Sequence, residues 1–224
     1  SGTALTETIG IGKGTVTPDE TIRDRLRMLA AVDEGLGRML EALEKRGILD
    51  KTVVILVGDN GYFYGEHGLS EERRLAYEES IRLPLLVRFP PKVRGGSKPE
   101  AQALTIDLAP TILDLAAAKP LEGIDGRSLV PLFAAKGTPD GWRRSFLIEY
   151  NTDIVFPRML KMGYVAVRNE RYKYIRYREL EGMNELYDLR DDPFELNNLI
   201  GADSAHAVRR FMEGELDALL GKLP

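Results

Sequence analysis

The sequence predicts an α/β fold that passes into a small antiparallel sheet with a packing helix. Three observations carry this. An amphipathic helical stretch leads into an unbroken β-prone run, Thr52-Val53-Val54-Ile55-Leu56-Val57. A second such run, Leu85-Leu86-Val87-Arg88-Phe89, is followed by another apolar helical stretch, so helix and buried strand alternate. After about residue 137 the pattern changes to short strands with alternating residues and a closing amphipathic helix. The division this predicts is residues 1–136 as an α/β portion and 137–224 as an antiparallel α+β subdomain.

Each element has its own local reasons. Residues 1–16 are small and rich in Gly and Thr, and read as a loop. Thr17 suits an N-cap, Pro18 the first helical position and Glu20 a capping box. Ile22, Leu26, Leu29, Leu36, Leu40 and Leu43 then recur at helical spacing, and Gly47 is a natural stop, so a helix is expected over 18–46. Asp33 falls on that apolar stripe, where a buried carboxylate needs a partner such as backbone at a neighbouring turn. The run at 52–57 lacks alternation, which predicts a strand covered on both faces, as in a parallel sheet. Pro90-Pro91 stops the second strand, Glu71–Glu79 reads as partly helical, and Thr105–Ala118 as a helix with Pro110 in its first turns. Phe146–Tyr150 is strand-like, and Tyr164–Arg168 with Tyr172–Tyr177 around Asn169-Glu170 reads as a hairpin. Glu185–Leu189 is a further strand, and Val208, Phe211, Met212, Leu216 and Leu219 mark the closing helix.

Composition narrows the function classes. Hydrophobic residues make up 43% and charged residues 29%, as in ordinary globular proteins. A net charge of -4 gives no broad basic field for nucleic acid. No apolar run approaches the roughly 20 residues of a membrane span. With no cysteine, there is no disulfide, thiolate metal site or cysteine nucleophile. The start, Ser1-Gly2-Thr3, has neither an initiator methionine nor a signal peptide, so a natural protein continuing upstream is expected.

Ligands of open α/β sheets gather at the carboxyl ends of strands, and Asp59 and Asn60 stand at such an end. A carboxylate beside an amide carbonyl offers hard oxygens suited to calcium or magnesium, although Asp-Asn-Gly is also a common turn. The wider run decides more. Gly58-Asp59-Asn60-Gly61 is followed by Gly65-Glu66-His67-Gly68, then Arg73-Arg74, Tyr77-Glu78-Glu79-Ser80 and Arg82-Leu83-Pro84-Leu85. This resembles the formylglycine-dependent type I sulfatases of the alkaline phosphatase superfamily, in their carboxy-terminal portion. The helix around Asp33, the segment Asp107-Leu108-Ala109-Pro110-Thr111, Gly126-Arg127-Ser128-Leu129, and Glu185-Leu186-Tyr187-Asp188-Leu189 with Asp192-Pro193 fit in the same order, from about 25 to 200.

The resemblance implies the late part of an alkaline-phosphatase-like α/β sandwich and hydrolysis of a sulfate monoester, on a sulfated small molecule or glycan. It implies a calcium ion held by two upstream aspartates and by the pair matched here by Asp59 and Asn60. It also implies a formylglycine nucleophile made within a Cys/Ser-x-Pro-x-Arg motif, and an exported parent. That motif is absent. Ser97-Lys98-Pro99 is followed by Ala101 where arginine belongs, and reads as a linker. Asp191-Asp192 reads as a turn feature. The isolated chain is therefore expected to be inactive and to bind calcium weakly or not at all. Arg73 is the expected sulfate contact, with a solvated charged surface as the plain alternative. His67 could be a general acid, but a structural, hydrogen-bonding histidine is the favoured reading, and His206 is expected to be exposed. Tyr172–Arg178 mixes aromatic and basic residues, for which a strand with one packed and one wet face is the simpler account.

Two other functions fit the same residues. One is a phosphodiesterase or phosphonate hydrolase of the superfamily, against which the presence of just two histidines argues. The other is a binding-only sulfatase-like module. No nucleic-acid partner is expected. A cut sheet would expose apolar faces and edges, so self-association through that surface is expected.

Overall fold

A computed structural model describes residues 17–70, 72–151 and 159–222. The loop expected over 1–16 therefore lies outside the described residues. The described chain divides into two compact units. Residues 20–59 and 83–143 form one, and residues up to 19, 60–82 and 144–224 form the other.

The first of these holds helix α1 (Asp19–Lys45), strands β1 (Val54–Val57) and β2 (Leu85–Arg88), and helix α3 (Leu108–Leu115). β1 and β2 pair antiparallel, with Val54 opposite Arg88 and Val57 opposite Leu85. This corrects the parallel pairing that the apolar run suggested. The run is also open to solvent, with Leu56, Val57 and Leu86 36%, 37% and 61% exposed. An unbroken apolar strand signals a need for cover, and carries no information on strand direction. The α1 stripe behaves likewise: Leu36, Leu40 and Leu43 are half-buried, whereas Leu26 and Leu29 are exposed.

Two further expectations for α1 fail. Thr17 is buried, but its hydroxyl makes no hydrogen bond, so no capping box forms; its backbone N–H instead donates to Tyr64 O at 3.0 Å. Asp33 is exposed and needs no buried partner.

At α3, Asp107 is fully buried and bound by the Arg143 guanidinium through both carboxylate oxygens. It also accepts from Arg127 N at 2.8 Å, while Thr111 Oγ accepts from Leu129 N at 2.8 Å. The two matched motifs thus form one docking point. Beneath them Leu129, Leu132 and Phe133 pack with Leu85, Val87, Leu115 and Trp142. Ser97 forms an exposed turn, with its N–H and hydroxyl both on Arg94 O, in keeping with a linker.

The second unit holds α2 (Glu78–Ile81), a four-stranded antiparallel sheet and helix α4 (His206–Leu220). The sheet runs β3 (Ser145–Tyr150), β4 (Tyr164–Asn169), β5 (Tyr172–Tyr177) and β6 (Glu185–Asp188), each paired with the next. α4 covers one face, where Met212 and Leu216 pack on Val165, Val167, Tyr174 and Leu186. The other face was expected to be wet, and it is not. Tyr164, Ala166, Ile175 and Tyr187 are buried there under Ala76 and Tyr77. Alternation correctly sorts the residues between faces, but the second face is covered by the segment that carries the candidate site. His206 opens α4 exposed, and Asp191-Asp192 is a turn in which Asp192 accepts from Leu196 N and Asn197 N.

Candidate functional site

Asp59 and Asn60 follow β1 and are both exposed. The Asn60 amide nitrogen donates to Gly61 O at 2.7 Å, and its amide oxygen is a hard donor of the kind a calcium ion takes. Gly61 is required by close approach. A Cβ there would lie 1.8 Å from Glu79 O, and Gly61 N–H donates to Ser80 O at 2.7 Å. Tyr62 N–H donates to Glu79 O at 2.8 Å. The Asn60-Gly61-Tyr62 backbone is thereby laid directly on α2.

The turn that follows needs left-handed backbone. Gly65, His67 and Gly68 have φ of 135°, 56° and 70°, which only glycine adopts without strain. His67 bears that strain and is packed on both sides. Its ring stacks on Tyr77 at 4.1 Å and meets the edge of Phe63 at 6.0 Å. Nε2 faces Glu79 Oε2 at 3.4 Å, too poorly aligned for a hydrogen bond. His67 is thus seated by aromatic packing beside a carboxylate, where a hydrogen-bonded role was expected.

Glu72 separates the two arginines. It is buried and accepts from Arg73 N at 2.8 Å, Arg74 N at 2.9 Å and Arg74 Nη1 at 3.0 Å. Ser80 Oγ holds Arg73 O and Tyr164 Oη holds Arg74 O. Arg74 is therefore neutralised and anchored. The Arg73 side chain is exposed and has no acidic partner among the described residues.

Two buried clusters underpin this segment, and neither was read from the sequence. Glu185 accepts from three phenols: Tyr77 at 2.9 Å, Tyr187 at 2.6 Å and Tyr177 at 2.8 Å. Burial, and then the Glu185 charge, push all three tyrosines well above their usual range. Lys173 is fully buried between Glu195 at 2.6 Å and Glu78 at 3.1 Å, and Arg168 grips Glu78 as well. Glu195 also accepts from Glu78 N at 2.7 Å, which fixes the start of α2. Burial raises the Glu195 carboxyl to about 7 despite Lys173. Burial would raise Glu78 too, but Arg168 and Lys173 outweigh it and hold that carboxyl low. A lysine inside an alternating strand reads as wet-face, and its partner lies 22 residues on, so neither left a local signal.

No group of three or more His, Asp or Glu side chains gathers in a metal-holding arrangement among the described residues. Asp59 and Asn60 have the right donor chemistry for a hard cation, but two residues fall short of the six to eight oxygens calcium takes.

Comparison with known proteins decides the family. The model described as N-sulphoglucosamine sulphohydrolase, C-terminal, matches residues 65–222, and the sulfatase model matches 6–118. The chain belongs to the sulfatase family. It represents a carboxy-terminal portion of a sulfatase of the alkaline phosphatase superfamily. An N-acetylglucosamine-6-O-sulfatase of Bacteroides thetaiotaomicron is 37% identical over 194 residues, which cover 86% of this chain and 34% of that protein. The N-acetylglucosamine-6-sulfatase of Bos taurus is 31% identical, over 81% of this chain and 37% of that protein. Among solved structures, a protein in complex with its substrate D-glucosamine-2-N,6-O-disulfate has a TM-score of 0.79 at 34% identity, covering 85% of this chain and 38% of that one. The phosphonate monoester hydrolase of Agrobacterium radiobacter has a TM-score of 0.77 at 30% identity, covering 87% and 40%. The sulfatase segment thus spans about a third of the curated relatives it matches.

Proposed function

We propose that this chain supplies the carboxy-terminal side of an active site that hydrolyses sulfate monoesters on a sulfated carbohydrate. The observation that carries the reading is the seating of the matched motif. Asn60-Gly61 lies on α2, His67 is fixed beside it, and among the described residues the exposed Arg73 has no acidic partner while its neighbour Arg74 is spent on Glu72. Glucosamine sulfatases among the relatives, and the neighbour bound to a disulfated glucosamine, favour a sulfated sugar as substrate.

In this reading Asp59 and Asn60 would hold calcium together with residues outside this chain. When bound, the ion supplies positive charge at the sulfuryl oxygens. Arg73 forks onto the sulfate and stabilises the charge that builds there. Glu72 keeps the neighbouring Arg74 from competing for it. His67 is held by packing on Tyr77, with Nε2 facing Glu79. The nucleophile is not among these residues, so the isolated chain should not turn over. The test is direct: assay the chain on an aryl sulfate with calcium. Turnover that disappears in Asp59→Ala would sink the inactivity.

The phosphonate hydrolase at 30% identity favours a second reading, a phosphonate or phosphodiester hydrolase. The coding sequence upstream separates them. A Cys/Ser-x-Pro-x-Arg motif with sulfate-ester turnover supports the sulfatase, a Thr or Ser at a two-metal site supports the phosphoesterase, and neither supports a binding-only module.

A further inference from the structure

Several candidate site residues hang on one short helix. Glu79 O and Ser80 O of α2 accept from Tyr62 N at 2.8 Å and from Gly61 N at 2.7 Å. Ser80 Oγ donates to Arg73 O at 2.6 Å, and His67 stacks on Tyr77, the residue before the helix. The backbone next to Asn60, the carbonyl of Arg73 and the ring of His67 thus share one platform. That platform has four residues, and a single turn of helix is marginal by itself. Tyr77 gives it no side-chain cap. The acceptor for its first N–H comes from far along the chain: Glu195 Oε2 accepts from Glu78 N at 2.7 Å, across 117 residues.

The turn around Glu195 is shaped to deliver that carboxylate. Glu195 has a φ of 53°, in the left-handed region where a residue with a side chain is strained. Its N–H donates to Asp192 O at 3.1 Å, and the Asp192 carboxylate accepts from Leu196 N at 3.1 Å and Asn197 N at 2.8 Å. The result inverts the usual sorting of residues. Phe194 and Leu196 are 65% and 76% exposed, while the acid between them is 2% exposed. Inside, Glu195 Oε1 forms an ion pair with Lys173 Nζ at 2.6 Å that lacks hydrogen-bond alignment, so the bond to Glu78 N is the aligned one. The matched Asp192-Pro193 pair therefore closes a turn whose product is one buried acceptor facing α2.

We propose that Glu195 is a positioning residue for the candidate site: by capping α2 it sets the backbone of Asn60-Gly61-Tyr62 and of Arg73. Glu195, Glu78, Gly61 and Arg73 all lie in the same compact unit. The proposal rests on the sulfatase reading for what the site does, but not for how its backbone is held.

The test compares amide NMR spectra of the chain, of Glu195→Gly, and of Glu195→Gln combined with Lys173→Met. Glycine removes the carboxylate and adopts the left-handed backbone without strain, and Lys173 keeps Glu78. The double variant retains an oxygen for Glu78 N–H and strands no charge, because Glu78 keeps Arg168. Circular dichroism checks that each variant is folded. In Glu195→Gly the Gly61 and Tyr62 amide protons should move upfield, as lengthened hydrogen bonds require, while those of Met212 and Leu216 on α4 stay in place. Both moving N–H groups bond to α2, so the change has to pass through it; a role in stability alone leaves these native-state positions unmoved. The double variant should restore them. Unmoved Gly61 and Tyr62 amides in Glu195→Gly overturn the positioning, and so does an equal displacement in the double variant. In the complete polypeptide, Glu195→Gly should lower kcat on an aryl sulfate at least about tenfold, as misplacement of site groups does, with recovery in the double variant. Undiminished kcat in Glu195→Gly overturns the role. If the unmutated complete polypeptide shows no sulfate-ester turnover, the sulfatase reading fails, and the amide spectra still decide the positioning.

Discussion

Replacing Lys173 by methionine should destabilise the fold by an amount that depends on pH. Lys173 is fully buried, 2.6 Å from Glu195 and 3.1 Å from Glu78. Glu78 keeps Arg168 when the lysine goes, whereas Glu195 loses its cation. Removing one partner of a buried ion pair costs about 3–5 kcal/mol when the other is left charged. Glu195 can escape that cost by taking up a proton. Its carboxyl already stands at about 7, raised by burial from the ordinary 4.5, and Lys173 is what restrains it from rising further. A carboxyl held above its unfolded value favours the fold in its acid form. That contribution is full below the unfolded value and is lost as pH rises through the folded one. At pH 5 the methionine variant therefore strands no charge and should lose only about 1–2 kcal/mol, the scale of a lost hydrogen bond. At pH 8 it strands the carboxylate and should lose about 3–5 kcal/mol. Urea unfolding of the chain and the variant at both pH values measures this. Equal losses at the two pH values, or a loss under about 1 kcal/mol at pH 8, would refute the buried triad.

Other substitutions probe the same frame. Gly61→Ala places a Cβ 1.8 Å from Glu79 O, so it should shift α2 and lower the melting temperature by several degrees; an unchanged melt and unchanged amide shifts at Glu79 and Ser80 would contradict the close approach. Tyr187→Phe removes one of three phenols from the buried Glu185 and should cost about 1.5–3 kcal/mol in urea melts, as hydrogen bonds to charged groups do. Leu26, Met28, Leu29, Val32 and Met39 on α1 are 55–70% exposed, so light scattering should show self-association that rises with concentration; a compact monomer at all concentrations would contradict it.

Much of this molecule is legible from its residues, for physical reasons that can be named. Period-two alternation in Tyr164–Arg168 and Tyr172–Tyr177 placed the hairpin, and the spacing of Met212, Leu216 and Leu219 placed α4. The Asp59–Pro84 run carries the family motif from which the candidate site residues are read. What the residues hid was non-local. The second sheet face is covered by Ala76 and Tyr77, which lie far before Tyr164, Ala166, Ile175 and Tyr187 in the chain. Lys173 reads as a solvent-facing strand residue until Glu78 and Glu195 are brought to it. The antiparallel pairing of β1 with β2 could not follow from apolar composition, which sets burial and not direction. Asp33, read as buried because it shares a face with leucines, is exposed because that stretch of stripe is uncovered.

The central proposal is that Asp59, Asn60 and Arg73 belong to the active site of a sulfate-ester hydrolase whose nucleophile is supplied by other residues. The measurement that tests it most directly is aryl sulfate hydrolysis with calcium by the complete polypeptide, by this chain alone, and by the complete polypeptide carrying Asp59→Ala. The account predicts turnover by the complete polypeptide, none by the chain, and a loss of at least about a hundredfold in the variant, the scale seen when a charge-stabilising group is removed. Full activity in Asp59→Ala, or turnover by the chain alone, would contradict it.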